Sequence, residues 1–320
     1  MPASKGLSPQ TMTAAPLEAY LGPPALERLL EAHSAWLDHR PGGQRASLKG
    51  IVLIAGVLEK VNLERADLSS TNLTDTRLSG ANLHAAVCHW ANLTGATLME
   101  ADLSQAELEE VKAENALLAA ANLSESRIVR SCFRHANLRQ ARLLEVDMGQ
   151  SEFRDADLWQ ANLQQAKVFD CNFTEARLEE ANLYHATVRC CKLAGMSAPG
   201  SNWSTATLQS CELRRADLSG ARFDRADLRQ SSFWGAVLGG CSFQKARLNG
   251  VDMEAADLSR ARFHEATTLS TDFRGANLRG AQGFTPSQLS QARTDRDTVL
   301  PDGSHGPFLM GSGANRPCRM

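Results

Sequence analysis

Long apolar runs are missing from this chain, and so is any stretch that could span a membrane. Aromatic residues are scarce at 6%, and the 43% of hydrophobic residues, led by Leu and Ala, are spread evenly along 320 residues. That distribution does not suit one or two ordinary globular cores and favours a repeat. An excess of charge of either sign is also lacking, the net charge being −2. This leaves neither the basic footprint of a nucleic-acid binder nor the acidity of a phosphate-backbone mimic. Close CxxC pairs with partnering histidines are absent, so the eight cysteines read as small buried hydrophobes and no metal or cofactor is expected. The first twenty residues hold one Lys and no apolar h-region, so no secretory signal is expected and the expected location is the cytoplasm.

What the chain does have is a period of five. From Ala46 it reads ASLKG, IVLIA, GVLEK, VNLER, ADLSS, TNLTD, and the phase holds to Leu278 through 47 consecutive pentapeptides, too many for chance. The third position is nearly always Leu, Phe, Ile, Met or Val, and the first is mostly Ala, Ser, Thr, Cys or Val. Neither the 3.6 spacing of a helix nor the alternation of a strand gives a strict five. First and third positions are read as inward and the others as outward or at corners.

The motif A(D/N)LxX stands plainly in Ala66-Asp67-Leu68, Ala81-Asn82-Leu83, Ala101-Asp102-Leu103, Ala121-Asn122-Leu123 and Ala276-Asn277-Leu278. The chain thereby resembles the pentapeptide-repeat family over roughly three quarters of its length. The resemblance implies an all-β, right-handed quadrilateral β-helix, with one pentapeptide per side and four per coil. A twenty-residue sort of the third positions supports four sides. One column holds Phe133, Phe153, Phe173, Phe233 and Phe273, while another is Leu from Leu58 to Leu258 except at Ala198. The Phe-rich column carries Ser131, Ser151, Cys171, Cys191, Cys211 and Ser231 at its first positions. With about twelve coils spaced about 4.8 Å apart, the solenoid is on the order of 55 Å long.

The ends differ from the repeat. Residues 1–23 are expected to be a flexible lead, 24–45 a cap helix with its linker, 46–283 the β-helix, 284–302 a C-terminal cap with a short helix, and 303–320 a disordered tail rich in Gly, Ser and Pro. Leu29, His33 and Trp36 share one face of the cap helix. Val52, Ile54 and Val57 occupy outward positions of the first coil and are expected to be covered by it, with Trp36 as the seal. Met196-Ser197-Ala198-Pro199-Gly200 breaks the consensus and is read as a local bulge.

No residue set advertises catalysis, and an enzyme is not expected. Asn62, Asn82, Asn122, Asn162, Asn182 and Asn202 share a column and suggest a structural amide ladder. Cys171, Cys191 and Cys211 are expected to stack as a reduced ladder, and Cys88-His89 and Cys132 with His135 are not read as ligand pairs, because Cys88 sits at a core position and the histidines face outward. Outward apolar residues are more telling: Leu144, Trp159 and Tyr184, with Phe169 and Val129 at the next corner, form the candidate interaction patch. The function expected is a non-catalytic protein-protein interaction scaffold, with a homodimer left open and neither membrane nor direct nucleic-acid binding. A lead with His33 and Trp36-Leu37 looks similar to that of repeats associated with bacterial type VI secretion, which implies an accessory or adaptor role there. The alternative is a DNA-mimicking modulator of a type II topoisomerase such as gyrase, as for some members of the family. Against it stand 29 acidic residues balanced by 26 basic ones over residues 46 to 281.

Overall fold

The computed structural model describes residues 19–20 and 22–317. Most of the lead expected at 1–23 lies outside the described residues. Short strand β1 (Ala19–Tyr20) precedes helix α1 (Pro23–Leu37), and β2 (Ile51–Val52) opens a parallel β-solenoid. One side of the solenoid carries the strands β3 (Glu107–Glu109), β4 (Arg127–Val129), β5 (Asp147–Gly149), β6 (Lys167–Phe169), β7 (Thr187–Arg189) and β8 (Thr207–Gln209). They stack in that order as one parallel sheet. This regular ladder makes about five turns, fewer than the twelve coils expected from the repeat count. Elsewhere single bridges such as Ser47↔Asp67, Asn162↔Asn182 and Arg262↔Gln282 keep the step of twenty residues.

The pentapeptide makes a side because it ends in a turn. The first-position N–H donates to the third-position carbonyl before it, as Ile51 does to Leu48 at 2.9 Å, and the fifth residue between them has positive φ, +58° at Lys60 and +57° at Asn115. A left-handed residue at that place closes a β-turn. The second-position Asp or Asn then serves two partners. Its Oδ1 accepts the N–H two residues on, as Asn182 does from Tyr184 at 3.2 Å, and where the residue is Asn its Nδ2 donates to the preceding coil, as Asn182 does to Asn162 (3.3 Å) and Asn202 to Asn182 (3.1 Å).

Inward residues fill the coils in layers. First and third positions are buried from Leu63 to Leu278, the first positions Ile51, Gly56 and Val61 of the opening coil being half-buried, and aromatic rings stack along two columns. Phe133, Phe153 and Phe173 lie parallel with centroids 5.1 and 4.8 Å apart. Trp203, Phe223, Phe243, Phe263 and Phe284 continue on another side at 6.0, 5.3, 5.2 and 4.3 Å. The Ser/Cys column has a hydrogen-bonding cause. At the corner after β3, β4, β7 and β8 the third-position carbonyl accepts from the next coil: Leu108 from Ser131 Oγ (2.8 Å), Ile128 from Ser151 Oγ (3.3 Å), Val188 from Cys211 Sγ (3.5 Å) and Leu208 from Ser231 Oγ (2.9 Å).

No bulge forms at Met196 to Gly200, contrary to expectation. Met196 and Ala198 are both buried, and Ser197 keeps its bridges to Arg177 and Asp217. The large first-position side chain and small third-position one exchange volume within the layer, so the ladder stays in register.

The N-terminal cap differs from expectation at its key residue. His33, not Trp36, is the fully buried one; Leu26, Leu29 and Leu30 pack on the core beside it, while Trp36 stays half-exposed and stacks on His33 at 5.6 Å. His33 lies over the opening of the coil, whereas Trp36, nearly one turn later, turns toward the linker. Ile54 and Val57 are not covered: they are 54% and 61% exposed, because α1 plugs the hollow and leaves the rim. Val52 is half-buried, and its backbone pairs with β1.

His33 Nδ1 accepts the N–H of Ala46 at 3.0 Å, which requires the uncharged ring. Burial, aided by Arg45 and opposed by Glu64, holds this imidazole below its ordinary range. Protons therefore bind the unfolded chain more readily, and the cap's stability is complete above about pH 6.5 and falls as pH drops below it. The melting temperature of the wild type should decline between about pH 7 and pH 5, and His33→Gln should flatten that decline. An unchanged slope in the variant would show that another group titrates.

At the other end α2 (Pro286–Gln291) begins with a complete capping box, Thr285 and Gln288 each bonding the other's backbone. Gln288 Nε2 also reaches the carbonyls of Phe263 (3.1 Å) and Ala266 (2.7 Å). Gly303 to Pro317, expected to be disordered, lies on this cap instead. Val299 bridges His305, Phe308 is buried, and Asn315 Nδ2 donates to the Phe284 carbonyl at 3.2 Å.

Candidate protein-interaction surface

All five residues of the candidate patch stand at fourth positions, just before a corner, so each points away from the core. They do not share one side. Leu144 and Tyr184 lie on the side of the Asn ladder, two coils apart, with Gln164 between them. Trp159 lies on the preceding side, in the Leu column. Val129 and Phe169 lie on the following side, in β4 and β6, with Gly149 of β5 between them. The Asn side is therefore flanked by Trp159 at one corner and by Tyr184 and Leu144 at the other.

Their surroundings differ as well. Trp159 is half-buried: the Arg139 guanidinium sits 4.4 Å from its ring centroid, and Arg139 is held there by Asp157 at 3.1 Å. The same Asp157 accepts the Trp159 backbone N–H at 3.0 Å. Tyr184 is half-buried edge-on against His185, 4.2 Å between centroids. Phe169 stands 53% exposed beside the bare Gly149. Leu144 and Val129 are half-buried.

The sequence reading missed other exposed apolar side chains: Trp90, Met99, Leu117, Val237 and Leu269. The signal was available, since each is a large residue at a second, fourth or fifth position. Met99 and Leu117 neighbour one another across the Thr97↔Leu117 bridge. Trp90 donates to Glu110 at 3.0 Å, beside a network in which Arg130 binds Glu109 and Glu110 while His89 meets Glu107 at 2.8 Å.

The chemistry of the wall is that of a surface. Burial pushes the thiols of Cys88, Cys171 and Cys241 up to about 12, which keeps them protonated and poor nucleophiles. Cys132 Sγ donates to Glu114 at 3.2 Å. Among the described residues no three His, Cys, Asp or Glu side chains are placed to hold a metal ion. A wide groove of about 450 Å³ beside Glu114, Arg134, His135, Arg154 and Asp155 is shallow and charged. Inside the coils an apolar gap near Phe173, Leu183 and Trp203 measures about 10 Å³. No helix among the described residues is long and apolar enough to cross a membrane.

The model of pentapeptide repeats in eight copies matches residues 46–84, 62–99, 101–140, 131–168 and 162–195, and that of the pentapeptide repeat region matches 206–284. Among solved structures the chain is similar to HetL, a pentapeptide repeat protein involved in heterocyst differentiation regulation in the cyanobacterium Nostoc. The two are 26% identical over 89% of this chain and 99% of that one, with a TM-score of 0.28. It is similar also to QnrB1, a plasmid-mediated fluoroquinolone resistance protein, at 18% identity over 53% and 84% of the two chains and a TM-score of 0.36. A pentapeptide repeat protein of the Arabidopsis thaliana thylakoid lumen is 26% identical over 31% and 65%, with a TM-score of 0.26. No curated protein matches the chain.

Proposed function

Since the chain belongs to the pentapeptide-repeat family, we propose that it is a non-catalytic scaffold that binds another protein along the Asn-ladder side. The observation that carries this is the placement of Trp159 and Tyr184, two large amphipathic aromatics at outward positions on the two flanks of that side. Neither fills the core, and aromatic anchors of this kind concentrate binding energy. Between them runs a polar, regular floor of stacked amides, flat enough for a partner to rest on.

The DNA-mimic alternative is less well supported, because carboxylates along the wall are interleaved with Arg partners. Glu114 pairs with Arg134, Asp157 with Arg139, Asp227 with Arg229 and Arg247, and Asp272 with Arg274. A duplex presents one unpaired negative charge per about 1.7 Å. Within the scaffold reading, an accessory or adaptor role in type VI secretion in the cytoplasm is the finer proposal, resting on the His33 and Trp36-Leu37 lead.

Replacing Trp159 and Tyr184 together by Ser should leave the solenoid's melting unchanged and weaken capture of a partner from lysate about tenfold, or roughly 1.4 kcal/mol. Phe169→Ser, two corners away from Trp159, should leave capture intact. Loss with Phe169→Ser alone would move the interface to the β3–β8 side, and loss with neither would remove both.

A further inference from the structure

The two ends of the solenoid are closed differently. At the C-terminal end the last coil is paired side by side: Ser270 N–H to the Gln291 carbonyl (2.9 Å), Phe273 to Arg293 (2.8 Å), Leu278 to Val299 (2.8 Å) and Gly280 to Pro301 (2.9 Å). At the N-terminal end, among the described residues, only one side of the first coil receives a strand, where β1 lies parallel to β2 with Ala19 opposite Ile51 and Tyr20 opposite Val52. The chain then enters α1 at Pro23, and the next two sides, residues 56–60 and 61–65, receive no strand from the described residues.

On those sides the backbone groups that pair backward in every later coil face outward. In the second coil Arg77 donates to the Gly56 carbonyl at 2.9 Å and accepts from Leu58 at 2.8 Å. Its counterpart Val57 does neither, and the carbonyls of Ile54, Val57 and Glu59 have no partner among the described residues. Ile54 and Val57, the two exposed apolar side chains of this coil, flank the same stretch of rim. An open edge beside exposed apolar residues is a template for strand addition.

We propose that the rim at Ile54–Glu59 is a second docking site, taking an extended segment of another protein as an added parallel strand that continues the layer begun by β1. β1 itself argues for the mode, since the adjoining side of this rim already accepts a strand in parallel register. A second copy of the chain does not fit. The hollow is plugged by α1, packed through Leu26, Leu29 and Leu30, and a helix about 10 Å across on each rod holds two rims beyond the strand spacing of about 4.8 Å. The chemistry recognised is backbone N–H and C=O, with alternate apolar side chains to cover Ile54 and Val57. This site is independent of the Asn-ladder side and survives the failure of that reading.

The test is selection of random decapeptides displayed on phage against the full chain, followed by binding of the selected synthetic peptide by fluorescence anisotropy. Selected sequences should alternate apolar, often β-branched residues with polar ones. Binding should slow amide exchange at Val57 in the unmodified protein. Val57→Pro, which removes the rim N–H, should weaken the peptide about tenfold; the exchange measurement decides the matter should that variant not fold. No selected peptide, a peptide that leaves Val57 exchange unchanged, or a Val57 amide already protected in the free chain by its own first 18 residues would overturn the proposal.

Discussion

Trp203→Ala is expected to destabilise the solenoid by about 3–5 kcal/mol, the range for deleting a large buried aromatic. The indole is 1% exposed and heads the longer aromatic stack, nearly parallel to Phe223. Its Nε1 donates to Ser201 Oγ at 2.7 Å, which in turn donates to the Ala198 carbonyl at 2.6 Å. The backbone on both sides is fixed by ladder bonds of 2.7 Å, Trp203 to Arg222 and Leu183 to Asn202. The layer cannot close around the void, and the existing gap beside Phe173 and Leu183 grows instead. Trp203→Phe should cost far less, about 1.5 kcal/mol or under, since Phe223, Phe243 and Phe263 occupy the same column. Because each coil contacts only its neighbours, the defect should also divide the urea transition followed by circular dichroism. A single transition within about 1 kcal/mol of wild type would show that the stack does not couple the two halves.

Gly43→Ala should loosen the N-terminal cap at a cost of about 1–3 kcal/mol, the usual penalty for forcing an atom into a filled site. A Cβ there would stand 2.3 Å from the Trp36 nitrogen and 2.5 Å from the Ala35 carbonyl carbon, both backbone atoms of α1 that cannot swing aside. The linker is held against the helix by Gln44 N–H to the Ala32 carbonyl at 2.9 Å. Retreat of the linker would pull His33 from the coil opening, so trypsin should cut faster after Arg45 than in the wild type. Equal cleavage rates and equal melting would mean that the linker adjusts without moving α1.

The solenoid was legible in the sequence because its pattern is written by inward packing: a small first and large third position repeat every five, and columns covary every twenty. The Ser/Cys column was equally visible as a pattern, but not its cause, because the carbonyls of Leu108 and Leu208 that it satisfies belong to another coil. The cap showed the opposite limit. A helical wheel places Leu29, His33 and Trp36 on one face, yet depth along the helix decides which one meets the hollow, and size alone favoured Trp36. Ile54 and Val57 were expected to be covered because outward apolar residues usually are, but a helix that plugs a tube does not shield its rim. At the candidate surface, position in the pentapeptide marked which residues point outward. The step of twenty sorts them further: Leu144 and Tyr184, 40 residues apart, share a column, whereas Trp159 belongs to the side before.

The exact correspondence of residue i with residue i+20 also fixes how such a chain can change length. An insertion of twenty residues lengthens the rod by one coil and leaves every surface column facing the same way. An insertion of five keeps the inward and outward positions but rotates everything beyond it by a quarter turn. Two binding features on opposite sides of the insertion then lose their shared azimuth although neither has been altered. Relatives that bind the same partner across several coils should therefore differ between those coils in whole multiples of twenty residues, with five-residue steps confined to stretches no partner spans.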